Sequence, residues 1–450
     1  MSPLSIQPTF QSLTRLGVKC VMVSDALYAG SDTIATSYIL SEALKRLQPD
    51  LIFCGRQSVD GDTAQTPPML AQRLGFAIKT KVMEFDKESG SVTLRNGERF
   101  SPQNQTILTF EKIRTLRFPS IFSKLQEVEV WDNQTLGLDK EKCGLLGSPT
   151  RVVRSYESSV GRRNCQFFSV EDLPSLIEKA LQKQRMEQTK PTGEKLDEAY
   201  FIGHVQSVAE SIAKKAISFQ IKDKNPQKIA DELSEKKVKT LLWEDSEELK
   251  VLASKVAVLT GAGLCADCIS FRVENGKLIM TRPALGGNVT ADIVAESEMA
   301  FATVRTVKKE CADVIFSVGK GGIEYIEKIK EFAQKYSADK ADKADKDDKI
   351  DKEDKIDKAD KADKYGIEVE VCCSRIVADS GKLPYEKQVG LTGRTVCPKV
   401  YVAFGVSGAV QHTCAIEGAG TVIAVNVDKN ARIFDYADYG IIAEVKNVEL

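Results

Sequence analysis

Residues 312–329 read ADVIFSVGKGGIEYIEKI. The first half is a β-branched and aromatic run, the second opens on helical spacing, and Gly319 to Gly322 mark the turn between them. Gly319, Gly321 and Gly322 permit tight backbone angles and leave N–H groups at a helix start, which suits phosphate. The spacing is not G-x-G-x-x-G, so this turn alone specifies no dinucleotide. Three further pieces repeat the pattern. VCCSRIVADSG (371–381) ends a strand at Ser374 and Arg375, and KQVGLTGRT (387–395) is a glycine turn carrying Thr392. YVAFGVSGAVQHT (401–413) ends a strand at a small-residue loop followed by Gln411 and His412. TVIAVNVDKNARIFDYADYGIIAEV (421–445) adds two more strands, with Asn426 and Asp428 after the first. Loops that follow successive parallel strands lie at the carboxyl edge of one sheet, where open α/β sheets bind ligands. Together they predict a nucleotide held near Arg375, Thr392, Gln411 and His412.

The strand–helix alternation extends upstream. VKCVMVSD (18–25), TIATSYILSEALKRL (33–47) and PDLIFCG (49–55) read as strand, helix, strand, which predicts a parallel, right-handed βαβ unit. KVMEFDKESGSVTLRNG (81–97) reads as a hairpin around a Ser-Gly turn, 118–165 as irregular, and 170–190 as helical before Lys-Pro-Thr-Gly at 190–193. The expected fold class is α/β with parallel open sheets. The expected domains are 1–165, an arm with linker at 166–199, then 200–304 and 305–450. Inside the last lies a three-residue Asp/Lys repeat, 337–364, with almost nothing to bury. It reads as a solvated insertion, disordered or weakly helical, whose removal leaves a helix–turn–strand joint of normal length.

The 450 residues are 42% apolar and 28% charged with net charge -1, ordinary for globular domains and without the basic field that nucleic acid requires. No apolar run is long enough to span a bilayer. The opening MSPLSIQPTFQSLTRLG lacks the apolar core of a signal peptide, and eleven cysteines without framework spacing suggest reduced thiols. A cytoplasmic location is expected. The mitochondrial matrix is the alternative, because the opening carries some Ser, Thr and Arg as transit peptides do. CADC (265–268) has CxxC spacing, but no second CxxC exists and neither His204 nor His412 stands at finger spacing. Buried thiols are expected there rather than a zinc site or a redox pair. No acid–base pair, nucleophile triad or metal cluster supports a hydrolase.

The order of these motifs resembles the C-terminal FAD domain of the electron transfer flavoprotein α subunit, over 305–445 outside the repeat. GAGLCADCISFRVENGKLIMTRPALGGNVTADI (261–293) resembles that subunit's first domain, and LQPDLIFCGRQSVDGDTAQTPPMLAQRLG (47–75) resembles the β subunit. The chain therefore resembles a β–α fusion. The resemblance implies an adenine nucleotide α-hydrolase-like N-terminal part and a Rossmann-like, DHS-like FAD-binding C-terminal domain. Lys320 stands where the family's Gly-Arg-Gly turn has arginine, which keeps the charge and loses a bidentate grip. By the same resemblance Ser374 and Arg375 bring the guanidinium against the flavin ring. Val389, Gly390, Leu391 and Thr392 belong to the family's Gln-Val-Gly-x-Thr-Gly loop, Thr392 near flavin N5. Ser407, Gly408, Ala409, Val410, Gln411 and His412 match the Ser-Gly-Ala-x-Gln-His stretch, with His412 donating toward the flavin C2 carbonyl. Asn426 and Glu444 fall at the adenosine end, Glu444 where aspartate is frequent. Cationic donors beside the N1–C2=O edge would stabilise an anionic semiquinone and let electrons pass singly.

What the resemblance implies is an electron carrier rather than an enzyme. It would work between a flavin dehydrogenase, such as an acyl-CoA dehydrogenase of fatty acid β-oxidation, and an unspecified acceptor. Two alternatives stand beside it. Gln57, Asp60, Asp62, Thr63, Gln65 and Thr66 match half of the β subunit's nucleotide site, with Pro67 in place of a glycine. The DGDTAQ wording resembles electron-bifurcating members, whose β subunit holds a second FAD where others hold AMP. The family's β subunit opens with another βαβ segment ahead of this region, and the first α domain is shortened here. That leaves the second nucleotide open, and a degenerate FAD-binding remnant as the third reading.

Overall fold

In the C-terminal part of the chain the elements run β1 (Gln166–Phe168), α1 (Leu173–Gln182), β2 (Val314–Val318), α2 (Ile326–Asp347), β3 (Val369–Cys373), α3 (Arg375–Asp379), β4 (Val400–Phe404), α4 (Val410–Thr413), β5 (Thr421–Asn426) and β6 (Tyr439–Ile442). They build a six-stranded sheet in the order β3-β2-β4-β5-β6-β1, and every pairing is parallel. Every residue of β2, β4 and β5 is buried. Both faces are covered, so these strands read as continuous apolar runs rather than as alternations. On one face Val314, Phe316, Val402 and Ile423 pack with Leu173, Leu176 and Ile177 of α1 and Ile329 of α2. On the other, Ile315, Tyr401, Ala403 and Val422 pack with Ile416 and Phe434. The chain leaves β2 for β3 and returns past β2 to β4, so the winding reverses between β2 and β4. Their outgoing loops, 319–322 and 405–409, open side by side at that switch point.

This computed structural model describes residues 3–111, 117–157, 162–182, 193–287, 289–305, 311–347 and 367–449. It divides into two compact units, Met1–Tyr156 with Lys190–Thr306, and Glu157–Thr189 with Val307–Leu450. The segment read as arm and linker, 166–199, is shared between them. It supplies β1 and α1 to the second unit, and Leu196–Ile202 is a strand of the first. Ahead of β1, Arg163 donates to the carbonyl oxygens of Ala419 and Gly420 and to the Asp438 carboxylate. The Asp/Lys repeat lies outside the described residues beyond Asp347, where α2 ends.

The first unit contains a parallel sheet ordered 213–218, 196–202, 240–244, 300–304, 263–268. A second sheet, 270–274, 277–284, 289–295 and 150–157, includes two antiparallel pairings. A third, mixed sheet is ordered 51–55, 106–110, 77–85, 92–94, 99–100 and contains the expected hairpin. Two expectations are corrected here. Val21–Val23 does not pair with Leu51–Gly55 as a βαβ unit; it pairs in parallel with Glu129–Trp131, and Leu51–Gly55 pairs with Thr106–Phe110. The TILTF run at 106–110 is buried almost throughout and takes the place beside 51–55. The region 118–165 is not irregular throughout either. It holds strands 129–131 and 150–157, the first only three residues long and the second exposed along most of both faces. Cys265 and Cys268 are buried, reduced thiols, and the Cys268 Sγ lies 3.5 Å from the Cys265 carbonyl oxygen as its donor. Among the described residues no helix is long and apolar enough to cross a membrane.

Candidate functional site

The two loops at the switch point are locked backbone to backbone. Gly319 N–H donates to the Phe404 carbonyl at 2.8 Å, Gly321 N–H to the Gly405 carbonyl at 3.0 Å, and Gly322 N–H to the Gly319 carbonyl at 3.0 Å. A Cβ on Gly319 would stand 2.2 Å from the Gly405 oxygen, and one on Gly405 would stand 2.5 Å from the Gly321 carbonyl carbon. This corrects the reading of the turn as a source of free N–H donors for phosphate. The N–H groups of Gly319, Gly321 and Gly322 are consumed by the protein, and the glycines are there so that two turns can interpenetrate. What the turn presents outward is the exposed Lys320 side chain.

Beyond β3, Ser374 caps α3, and its buried Oγ has no hydrogen-bond partner. Arg375 begins that helix, its Nε 3.5 Å from the Asp379 carboxylate. The loop 388–394 is stitched to the same edge. Val389 N–H donates to the Cys373 carbonyl at 2.8 Å, and Leu391 N–H donates to the Gln411 carbonyl at 2.6 Å. Within the loop, Gly390 N–H donates to the Arg394 carbonyl and Gln388 Nε2 donates to the Thr392 hydroxyl at 2.8 Å, which orients Thr392. The loop's far end is clamped by charge. Arg394 Nη2 donates to one Glu370 oxygen at 3.0 Å, while Arg394 Nη1 and Lys387 Nζ donate to the other, Lys387 at 2.7 Å. Burial alone would push the Glu370 carboxyl up, but the two cations outweigh it and hold it below the usual carboxylate range.

This clamp makes a testable prediction. Glu370→Gln removes the charge and one of the two acceptor oxygens that hold two partly buried cations, and is expected to destabilise the C-terminal unit by about 1–3 kcal/mol at pH 7, read by urea unfolding. A group whose folded pKa is depressed stabilises above its unfolded pKa and loses that contribution as pH falls through the folded value. The difference between parent and variant should therefore shrink in acid. Equal unfolding midpoints at pH 7 would show that the clamp does not support the loop.

After β4, Ser407, Ala409 and Gln411 are exposed, whereas Gly408, Val410 and His412 are buried. Gly408 sits at φ +81, and a Cβ there would lie 2.0 Å from the Ile433 nitrogen. His412 is 6% exposed. Its Nε2 lies 2.8 Å from the Tyr401 hydroxyl, and its Nδ1 has no partner of hydrogen-bond geometry. Desolvation pushes the imidazole pKa down to about 4, against a smaller opposing pull from the Val389 carbonyl. Burial thus favours the neutral ring over the cationic donor expected from the sequence.

The structure thus gathers Lys320, Ser374, Arg375, the 389–392 loop and the 407–412 loop along one sheet edge. Asn426 ends β5 at the same edge, but its amide is committed inward: Nδ2 donates to the Val406 carbonyl at 2.8 Å and Oδ1 accepts from Asp428 N–H at 3.0 Å. Glu444 follows β6, two strands from β4, and is an exposed side chain paired with Lys446. The sequence did not single out Tyr401, Glu370 or Arg394, since an aromatic or a charge on a strand carries no motif. Two buried polar atoms without partners, Ser374 Oγ and His412 Nδ1, lie beside loops that cannot accept a Cβ. That combination fits an acceptor-rich ligand such as a flavin nucleotide.

The second candidate loop lies in the first unit. Gln57 Nε2 donates to the Asp62 carboxylate at 2.9 Å, and Asp62 and Ala64 hold φ values of +51° and +55°. The Ser58 hydroxyl, chiefly, holds the Asp60 carboxyl below its usual range. Thr33 donates to Gln65 Oε1 at 3.1 Å, and Gln65 Nε2 is buried without a partner. Thr63 and Thr66 are half-buried, and Pro67 falls in the first turn of helix Thr66–Leu74, where its missing N–H is not needed. Arg282, only 3% exposed, donates through Nη1 to the Gly61 carbonyl, while its Nε and Nη2 are buried without partners. Gly286 N–H donates to the Asp62 carboxylate. Sequence reading missed Arg282, which lies far along the chain from this loop.

Comparison with known proteins places these features. Residues 350–417 match the model of the electron transfer flavoprotein FAD-binding domain, and residues 11–97 and 226–328 match that of the electron transfer flavoprotein domain. Protein FixB of Clostridium saccharobutylicum is 34% identical over 212 residues, 44% of this chain and 64% of that protein. The electron transfer flavoprotein subunit alpha of Thermoanaerobacterium thermosaccharolyticum is 33% identical over 215 residues, 44% of this chain and 64% of that protein. Subunit beta of the same organism is 33% identical over 166 residues, 34% of this chain and 64% of that protein. The chain spans less than two thirds of the length of each. With proteins named as α and as β subunits both matched by one polypeptide, and an FAD-binding family model covering loops 388–394 and 405–412, the chain belongs to the electron transfer flavoprotein family.

Proposed function

We propose that this chain is an FAD-containing electron carrier that accepts electrons from a flavin dehydrogenase, such as an acyl-CoA dehydrogenase, and hands them to a separate acceptor. The observation that carries this reading is the convergence of Ser374, Arg375, Thr392 and His412 on one carboxyl edge, with Ser374 Oγ and His412 Nδ1 buried and without partners. Bound FAD supplies reversible one- and two-electron redox chemistry. The protein's part is to bind and orient it: Lys320 offers charge for a phosphate, Arg375 a cation, Thr392 a hydroxyl held by Gln388, and His412 a neutral ring donor. All eleven cysteines are free, which supports a reducing compartment such as the cytoplasm. For the dehydrogenase, the first unit offers an exposed apolar stretch, with Phe118, Ile121 and Phe122 at 85%, 85% and 86% exposure.

A second nucleotide is favoured by the orphaned donors of Arg282 and Gln65 beside loop 57–66. It would extend the function to bifurcating electron transfer with a partner dehydrogenase. One experiment separates these readings: bound flavin per chain, measured by absorbance after denaturation, followed by stepwise reduction with dithionite. About one FAD per chain is expected for the carrier and two for the bifurcating form. No flavin after incubation with FAD would sink both and leave a fold without its cofactor.

A further inference from the structure

The Tyr401 hydroxyl is the only hydrogen-bond partner of the His412 ring among the described residues. The tyrosine is itself fully buried in β4, on the face that carries Val389, Val396 and Ile416. Its position follows from the strand: Tyr401 and Ala403 alternate with Val400 and Val402, so its side chain points away from α1 toward the layer holding α4. From this geometry we infer that Tyr401 is a positioning residue that donates its hydroxyl proton to His412 Nε2 and so fixes the imidazole as the neutral Nδ1–H tautomer.

The alternative proton arrangement is disfavoured by what lies on the other side of the ring. The Val389 carbonyl acts on His412 in the sense that favours a ring N–H, without reaching hydrogen-bond geometry. A carbonyl that favours a proton on the ring favours it on Nδ1, because Nε2 is the nitrogen engaged by Tyr401. With Nε2 closed by Tyr401, the ring's one donor is directed to the side of loop 388–391. Burial, chiefly, raises the Tyr401 pKa; Ser317 of β2 is the next largest influence and lowers it, and the titratable groups Cys372 and Cys373 raise it by smaller amounts. Tyr401 therefore stays a protonated donor over the working pH range. Its value to the site is that the donor nitrogen is chosen before any ligand arrives.

Only the flavin part of the test rests on the proposed electron-carrier reading. The chain has two histidines, so His204→Gln leaves His412 as the sole imidazole. On the full-length His204→Gln chain labelled with 15N-histidine and prepared without FAD, long-range 1H–15N correlation reads the tautomer directly between pH 5 and 8. The expected spectrum is a single neutral Nδ1–H imidazole that does not titrate. A second chain carrying Tyr401→Phe is expected to lose that pattern for a mixture of tautomers. An Nε2–H or doubly protonated ring in the parent would overturn the inference, as would an unchanged pattern in Tyr401→Phe. The parent spectrum alone decides the tautomer, so the test survives if the phenylalanine variant does not fold. With FAD added, Tyr401→Phe is expected to bind it about fivefold more weakly and to shift its midpoint potential to lower values. Failure of the parent to bind FAD would count against the carrier reading and leave the tautomer result standing.

Discussion

Gly408→Ala is expected to destabilise the C-terminal unit by about 2–5 kcal/mol, adding the overpacking of a buried contact to the left-handed strain of a Cβ. The Cβ would arrive 2.0 Å from the Ile433 nitrogen and 2.4 Å from the Arg432 carbonyl carbon, both backbone atoms that no rotamer change can move. Against a total stability of about 5–15 kcal/mol for a domain, the shift is large. Loop 405–412 would be displaced, and with it His412 and the carbonyl of Gln411 that anchors Leu391. Flavin binding should fall with stability. The control is Gly381→Ala, at φ +73 with nothing within 4 Å, where only backbone strain of about 1–2 kcal/mol applies. Urea unfolding of the full chain checks both. Trp131 and Trp243, the only tryptophans, lie in the N-terminal unit and report on it. Circular dichroism and flavin release report on the other. Equal midpoints for the two variants would remove the packing argument.

That contrast marks where the sequence was legible. Strands 314–318, 400–404 and 421–426 were readable because each is buried on both faces and therefore written as an unbroken apolar run. The order of loops after those strands then located the carboxyl edge without any distance. What stayed hidden depends on pairing between remote segments. Nothing in VKCVMVSD says that Val21 faces Glu129 rather than the strand at 51–55, because a β-branched run specifies a strand and not its neighbour. Gly319 and Gly405 are eighty-six positions apart, and only their contact shows that the first turn's N–H groups serve the second turn. The charge state of His412 was likewise hidden. A histidine after a small-residue turn is legible as a candidate ligand-facing group, but the burial that favours its neutral form, and the Tyr401 contact from β4, are not written beside it in the sequence.

Ile177→Asp is the second large effect, and it tests whether the arm belongs to the FAD unit. Leu173, Leu176, Ile177 and Ala180 recur at helical spacing along α1, and each is at most 4% exposed. They pack against Val314, Val402, Ile423 and Ile441 of the sheet. Burying one such aliphatic side chain contributes about 1.5–3 kcal/mol, and a carboxyl group forced onto that apolar face adds a desolvation cost of several kcal/mol or a protonated acid. The sum approaches the whole margin of a domain. The FAD unit of Ile177→Asp is therefore expected to unfold at 25 °C and to lose its flavin, while the tryptophan-reported transition of the N-terminal unit stays in place. Ile177→Val, which removes one methylene, should cost only about 0.5–1.5 kcal/mol and keep the flavin. If the arm were a mere tether, both variants would behave alike and bind flavin as the parent does. The ladder between β1 and β6, with Gln166 opposite Tyr439 and Phe168 opposite Ile441, argues the other way. An edge strand that is paired, and then covered by a helix from the same segment, has been made part of the sheet and not an attachment to it.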